Sequence, residues 1–263
     1  MDKEYFWWDL EGSRLKGVIY DSINSYFLYE HPYKNWADFS KADPHMAYAQ
    51  LVYEKFNSLE QQFVDLRVIP QLLGVNDIPL KSSVMNINRY DWIKSIVDLT
   101  LFRFSSIRDI VFHLVNEVMK LDIPDYKLNI KNLSISLKSE HQFLLANLMD
   151  IEKIGRTLRN DRNDRAHKGF SNLHTSDDLK FKNMSWLEDH ISNVDLEYLI
   201  FTYEKSRETI YSHVVDETEQ ALKSCIKISN ELYESYRDKH HSLSIGSKSG
   251  VSGHFKIYHW NKR

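Results

Sequence analysis

The sequence predicts an all-α fold, a bundle of long helices followed by a short C-terminal arm. Three observations predict it. Glycine and proline are scarce, 8 and 5 in 263 residues, and neither occurs between Phe170 and Ile245. A sheet-rich chain needs turn-making residues far more often. Apolar residues recur at three- and four-residue steps over several long windows, the period of a helix with one buried face. The composition, 42% hydrophobic with 13% aromatic residues, supplies a core large enough to need no covalent staples.

The elements follow in order. Residues 1–40 are aromatic-rich without a clear period, and Trp7, Trp8, Phe27 and Trp36 are expected to cover one end of the core. Asp43-Pro44 reads as an N-cap followed by proline at the first helical position. From there Tyr48, Leu51, Val52, Phe56, Leu59 and Phe63 mark one apolar helix face, which is expected to end before Pro70. Gly74, Pro79 and Lys81-Ser82-Ser83 form a loop. A second helix, about residues 89–121, keeps the period through Ile93, Ile96, Val97, Leu101, Phe104, Ile107, Val111, Leu114, Val118 and Leu121. Leu99, Phe102, Ile110 and Phe112 make its other faces apolar too, so it is expected at the centre of the bundle. Pro124 and residues 129–136 form the next connection.

A third helix is expected from near Ser139, with Phe143, Leu144, Leu148, Ile151, Ile154 and Leu158 inward and Gly169 just past its end. Leu196, Leu199, Tyr203, Ile210, Val214, Ala221, Cys225, Leu232 and Tyr236 then hold the period to about His240. That stretch is long for one bundle helix, and a break near residues 213–217 is expected. Residues 242–253 read as a Ser/Gly-rich linker, and His254 to Trp260 as a docked arm or short strand. The organisation expected is therefore one helical domain over 1–241, with its core at about 43–240, and a linker and arm over 242–263. No internal repeat or heptad run is evident.

Several function classes drop out. No phosphate-binding glycine loop, nucleophile elbow or dinucleotide fingerprint is present, so no cofactor is expected. Cys225 stands alone, which excludes a disulfide within the chain and a cysteine-rich zinc module. His240, His241, His254 and His259 flank the linker without carboxylate partners, so no metal is expected there. No apolar run approaches the roughly 20 residues that cross a bilayer, and Met1-Asp2-Lys3-Glu4-Tyr5 lacks the order of a signal peptide. A cytoplasmic location without a membrane partner follows by elimination. The net charge of −3 gives no global attraction to nucleic acid, so an RNA partner would need a local basic patch.

Such a patch lies at the expected end of the third helix. Lys153, Arg156, Arg159, Arg162, Arg165 and Lys168 recur every third residue. At about 100° per residue they wind into a spiral ridge. Favourable charge at a helix C-terminus, with ion pairs to Asp161 and Asp164, accounts for such a ridge as well as RNA binding does. Arg162 is more pointed, because it continues the apolar stripe of Ile151, Ile154 and Leu158. A guanidinium there must be paired, line a groove, or face another subunit. His167 follows five residues later, beside Gly169.

The segment Arg162-Asn163-Asp164-Arg165-Ala166-His167 resembles the active-site motif of the HEPN superfamily: an arginine, four to six residues, a histidine, and often an asparagine directly after the arginine. The helical pattern over about 43–240 is similar to that family's all-helical core. The interval alone is not specific, since Arg108 with His113, and Arg207 with His213, also satisfy it. Those two pairs lie in helix interiors without the asparagine or the following glycine and read as structural. The resemblance implies metal-independent endoribonuclease activity, a homodimer whose two motifs form one cleft, and a role as a toxin or defence effector. His167 would take the ribose 2′-hydroxyl proton, Arg162 would hold the phosphate, and Asn163 would orient one of them. Lys153, Arg156, Arg159, Arg165 and Lys168 would bind RNA. An antitoxin or regulatory protein is a further implied partner. Family toxins controlled by a nucleotidyltransferase carry a tyrosine where Gly169 stands here, which argues against that mode of control. The alternative reading is a non-catalytic helical module that binds RNA or protein.

Overall fold

The computed structural model describes residues 9–28, 33–42, 44–81, 86–137, 141–154 and 178–245. The helices there are α1 (Arg14–Leu28), α2 (Trp36–Ala42), α3 (Pro44–Leu66), α4 (Val68–Leu73), α5 (Arg89–Met119), α6 (Ile130–Ser136), α7 (Gln142–Lys153), α8 (Asp178–Trp186) and α9 (Asn193–Ser244). A two-residue ribbon, β1 (Leu80–Lys81) with β2 (Asn86–Ile87), pairs Leu80 with Ile87 and Lys81 with Asn86. No described helix is long and apolar enough to cross a membrane.

Helix starts follow capping chemistry. Ser13 Oγ accepts from the Lys16 amide at 3.2 Å, Asn88 from Asp91 at 2.8 Å, Asn129 from Asn132 at 3.0 Å and Ser192 from Asp195 at 3.2 Å. Each oxygen satisfies one of the amides that a first turn leaves without an intrahelical partner. Pro44 opens α3 as the sequence predicts. The central helix also matches its predicted span. Beyond it, Asn116 fixes the exit, donating to the Ile123 carbonyl and accepting from the Ile123 amide, both at 3.1 Å.

Five expectations are corrected. α3 ends at Leu66, before Pro70 as expected, but the loop does not follow at once: a short helix, α4, begins after Arg67 and holds Pro70 in its first turn, where a missing N–H costs nothing. Residues 130–136, expected as connection, form α6. The third helix does not continue toward Gly169. It stops at Lys153, where Ile154 turns to ψ 130, immediately before Gly155 in the sequence. Leu51 and Phe143 are 42% and 62% exposed and do not belong to the inner faces assigned to them, nor does Phe27, 71% exposed, cover the core. The long last helix does not break at 213–217 and runs to Ser244, past the expected linker boundary.

The reason α9 stays whole lies in its buried face. Leu199, Ile210, Ala221 and Leu232 are spaced by eleven residues, and so are Tyr203, Val214, Cys225 and Tyr236. Arg207, Thr218, Ser229 and His240 form a third such row. Eleven residues make three turns of about 3.67 residues, close to the natural 3.6, so the face neither drifts nor forces a strong supercoil. Two of the rows are largely apolar and all four residues of the third are polar, which hid the repeat from a hydrophobicity reading. At 52 residues α9 is about 78 Å long and packs on α1, α3, α4, α5, α7 and α8.

The core lies where α3, α5 and α9 meet. Phe56, Leu59, Phe63 and Leu66 of α3 are fully buried, as are Ile93, Val111 and Leu114 of α5 and Leu232 and Tyr236 of α9. Removing a phenyl group such as Phe56 would cost roughly 3–5 kcal/mol, because the cavity adds to the lost transfer energy.

Candidate active site

The two ends of the stretch that carries the motif are held on the central helix. On the entering side, Leu144, Leu148 and Ile151 bury the inner face of α7, and α7 packs on α9 and α5. Glu152, near its end, approaches Arg108 of α5 at 3.8 Å. On the returning side, α8 buries Phe181, whose ring meets Tyr90 of α5 edge-on at 5.8 Å. The turn after α8 brings Glu188 to Arg89, with Nε at 3.1 and 3.2 Å from the two carboxylate oxygens and Nη2 at 3.1 Å. Arg89 and Arg108 are nineteen residues apart on α5, roughly 28 Å along the axis.

Lys153 is the member of the basic ridge inside the described residues. It is 68% exposed and pairs with Asp150 at 3.2 Å, so its ammonium is open to solvent on one side. Arg156, Arg159, Arg162, Asn163, Arg165, His167 and Lys168 lie outside the described residues, as do Leu158 and Gly169. Because α7 ends at Lys153, helical phase no longer links Arg162 to the stripe of Leu148 and Ile151. Gly155 was the signal that could have warned of this.

The two decoy pairs can be placed, and in each the arginine is held by partners of its own. Arg207 is buried and donates from Nε to the Leu73 carbonyl at 2.6 Å, from Nη1 to Glu204 at 2.9 Å and from Nη2 to Asn76 at 3.2 Å. Leu73 ends α4, so the guanidinium satisfies a carbonyl at the negative end of that helix. His213 is exposed, away from this buried anchor. Arg108 donates to Asp109 at 2.8 Å, while His113 faces Asp125, with Nδ1 at 3.7 Å from Oδ1. His113 is half-buried rather than sealed in the core, because Asp125 follows the turn that Asn116 fixes.

Elsewhere the unusual titratable groups are structural. Burial pushes the thiol of Cys225 and the phenols of Tyr48 and Tyr236 far up, so none ionises near neutral pH. Tyr236 Oη donates to Ser22 Oγ at 3.2 Å, and Tyr48 Oη to the Val118 carbonyl at 2.9 Å. Among the described residues no group of three or more His, Cys, Asp or Glu side chains converges.

A family model described as Cthe2314-like HEPN matches residues 48–237, from the early turns of α3 to near the end of α9. No curated protein and no solved structure matches. The matched span takes in the central helix, the long helix that backs it, and the stretch containing Arg162 and His167. On this match, which covers well over half its length, and with its all-helical architecture, the chain belongs to the HEPN family.

Proposed function

We propose that this protein is a metal-independent endoribonuclease acting as a homodimer, in the role of a toxin or defence effector. The observation that supports the reading is the family match over 48–237, a span that includes Arg162, Asn163 and His167, whose sequence resembles the family's motif. The placement of the decoys supports it, since Arg207 is committed to α4 and Arg108 and His113 each face their own carboxylate.

His167 takes the proton from a ribose 2′-hydroxyl, a task suited to a base that titrates near neutral pH. The oxygen attacks the adjacent phosphorus, the bond to the 5′-oxygen breaks, and that oxygen leaves with a proton. The products are a 2′,3′-cyclic phosphate and a 5′-hydroxyl. Arg162 holds the phosphate through its planar fork and stabilises the added charge of the transition state. Asn163 positions one of these groups. Lys153, Arg156, Arg159, Arg165 and Lys168 track the RNA backbone. A two-fold axis brings two motifs to one cleft, so each dimer holds a composite site.

The test incubates the full chain with mixed RNAs, with and without excess EDTA, beside His167→Ala, Arg162→Lys and His113→Ala. Cleavage is expected to persist in EDTA and leave cyclic phosphate ends. It should fall about 10²–10⁴-fold in His167→Ala, fall strongly in Arg162→Lys, and stay near wild type in His113→Ala. Cleavage that requires a divalent ion, or that survives His167→Ala, sinks the mechanism. No cleavage at all, with RNA still bound, favours the non-catalytic binding module.

A further inference from the structure

Four segments meet at one end of the bundle. Ser22 of α1 receives the Tyr236 hydroxyl of α9, and His45 in the first turn of α3 lies against His240 at 5.3 Å. Beyond Ser22, α1 delivers Tyr26, Phe27 and Leu28 to α2, which leads directly into α3. Tyr26 meets Trp36 edge-on at 5.3 Å and Phe39 at 5.0 Å, and Phe27 stacks on Trp36 at 6.0 Å with planes 10° apart. Phe39 is buried, yet Phe27 and Leu28 are 71% and 72% exposed. Trp36 is half-buried against the core, but Phe27 stacked on it and the adjacent Leu28 face water and forgo burial that would stabilise them. The same end is where α9 finishes, and Ile245 is 75% exposed there.

We propose that the Phe27, Leu28 and Trp36 face is the seat of the chain's own C-terminal arm, residues 254–260. Reach permits this face. Residues 246–253 separate Ile245 from the arm and, extended, span about 26–29 Å. His240 already touches α3, and Ile245 lies only five residues, roughly 7.5 Å, beyond it. Other exposed apolar residues, Val194 and Phe201, lie near the opposite end of α9. Phe201 is forty-four helical residues, roughly 66 Å, from Ile245, whereas Trp260 is fifteen residues beyond it and reaches about 50–54 Å. Composition fits the same seat. Phe255, Ile257, Tyr258 and Trp260 fall within seven residues, and an extended arm puts Phe255 and Ile257 on one side with Lys256 on the other. Two aliphatic or aromatic side chains against Phe27, Leu28 and Trp36 would complete the burial that the corner lacks.

The experiment uses the full chain. Cys225 is fully buried and will not interfere, so the pairs Phe27→Cys with Phe255→Cys and Trp36→Cys with Ile257→Cys can be oxidised cleanly at low protein concentration. A disulfide within one chain is expected for at least one pair. In parallel, Phe255→Ser with Trp260→Ser should raise amide exchange across residues 24–42 by about tenfold, the effect of losing one modest apolar contact set. Exchange in α5 should be unchanged, which shows that the fold is intact. Disulfide-linked dimers as the main product would assign the corner to a second copy and overturn the proposal. So would the absence of any disulfide, or exchange over 24–42 that ignores the arm and responds to Trp7→Ser with Trp8→Ser instead.

Discussion

Acid should unfasten the bundle at the end where α3 and α9 meet, and His240 sets the pH. Its imidazole is 5% exposed, lies against His45 at 5.3 Å and stacks on Tyr236 at 5.7 Å. Tyr48 stacks on Tyr236 in turn, with the Lys120 ammonium 5.2 Å from the Tyr48 ring. Burial, then the neighbouring His45 and His241, lower the His240 pKa from 6.5 to about 4. The folded protein therefore holds this ring neutral while the unfolded chain protonates it. Between about pH 6.5 and pH 4 the unfolded state binds the extra proton, so stability rises with pH across that window. The contribution is whole above about 6.5, falls as pH drops, and is lost by about 4. A shift of this size corresponds to roughly 3 kcal/mol, or very roughly 6–12 °C in Tm for a chain of this length. Urea unfolding at pH 7.0, 5.5 and 4.5 measures it, with His240→Phe keeping the aromatic stack and removing the proton site. Other acid-sensitive groups act in both proteins, so the difference between their pH dependences isolates His240. Parallel curves for wild type and variant would refute the reasoning.

Two further outcomes follow from contacts already described. Arg207→Met keeps the stem but strips the partners from the Leu73 carbonyl and Asn76, while Glu204, 49% exposed, can turn to water. A loss of about 2–4 kcal/mol is expected from urea unfolding, and a loss below about 1 kcal/mol would mean that the anchor is replaceable. Lys153→Gln, at a 68% exposed position, should leave stability within about 0.5 kcal/mol. It should also lower the slope of log affinity for RNA against log salt by about one; an unchanged slope removes Lys153 from the RNA-binding surface.

Much of the fold was legible because local signals agreed with burial. Asp43-Pro44 announced the start of α3, and the apolar stripe of α5 from Ile93 to Val118 is buried at every predicted position. Misses arose where a local rule had a second solution. Proline reads as a stop, yet Pro70 sits where a helix needs no amide. A break near residues 213–217 was expected from helix length alone, yet the buried face runs through that stretch without interruption, from Val214 to the fully buried Thr218. Leu51 and Phe143 were assigned inward with the periodic neighbours beside them, Val52 and Leu144, but each falls at the edge of its stripe and is exposed. The candidate site was read from a motif: Arg162 was singled out on the continuation of an apolar stripe, and Arg162, Asn163 and His167 by their resemblance to a family pattern, and all three lie outside the described residues. Arg207 was read as structural, and its burial against α4 bears that out.

The eleven-residue rows of α9 constrain how the gene can change length. Inserting one residue near Val214 would turn everything beyond it by about 100°. Cys225, Leu232, Tyr236 and His240 would then leave the core together, and α1 would lose the Tyr236 hydroxyl that meets Ser22. An insertion of three or four residues nearly restores the phase but slides the distal half by about a turn against α1 and α3. Eleven residues restore the phase fully while displacing the His45 contact by about 16 Å. A spine that touches six other helices at fixed heights therefore tolerates substitution far better than it tolerates change in length, and related chains should vary in length in the connections and keep this helix constant.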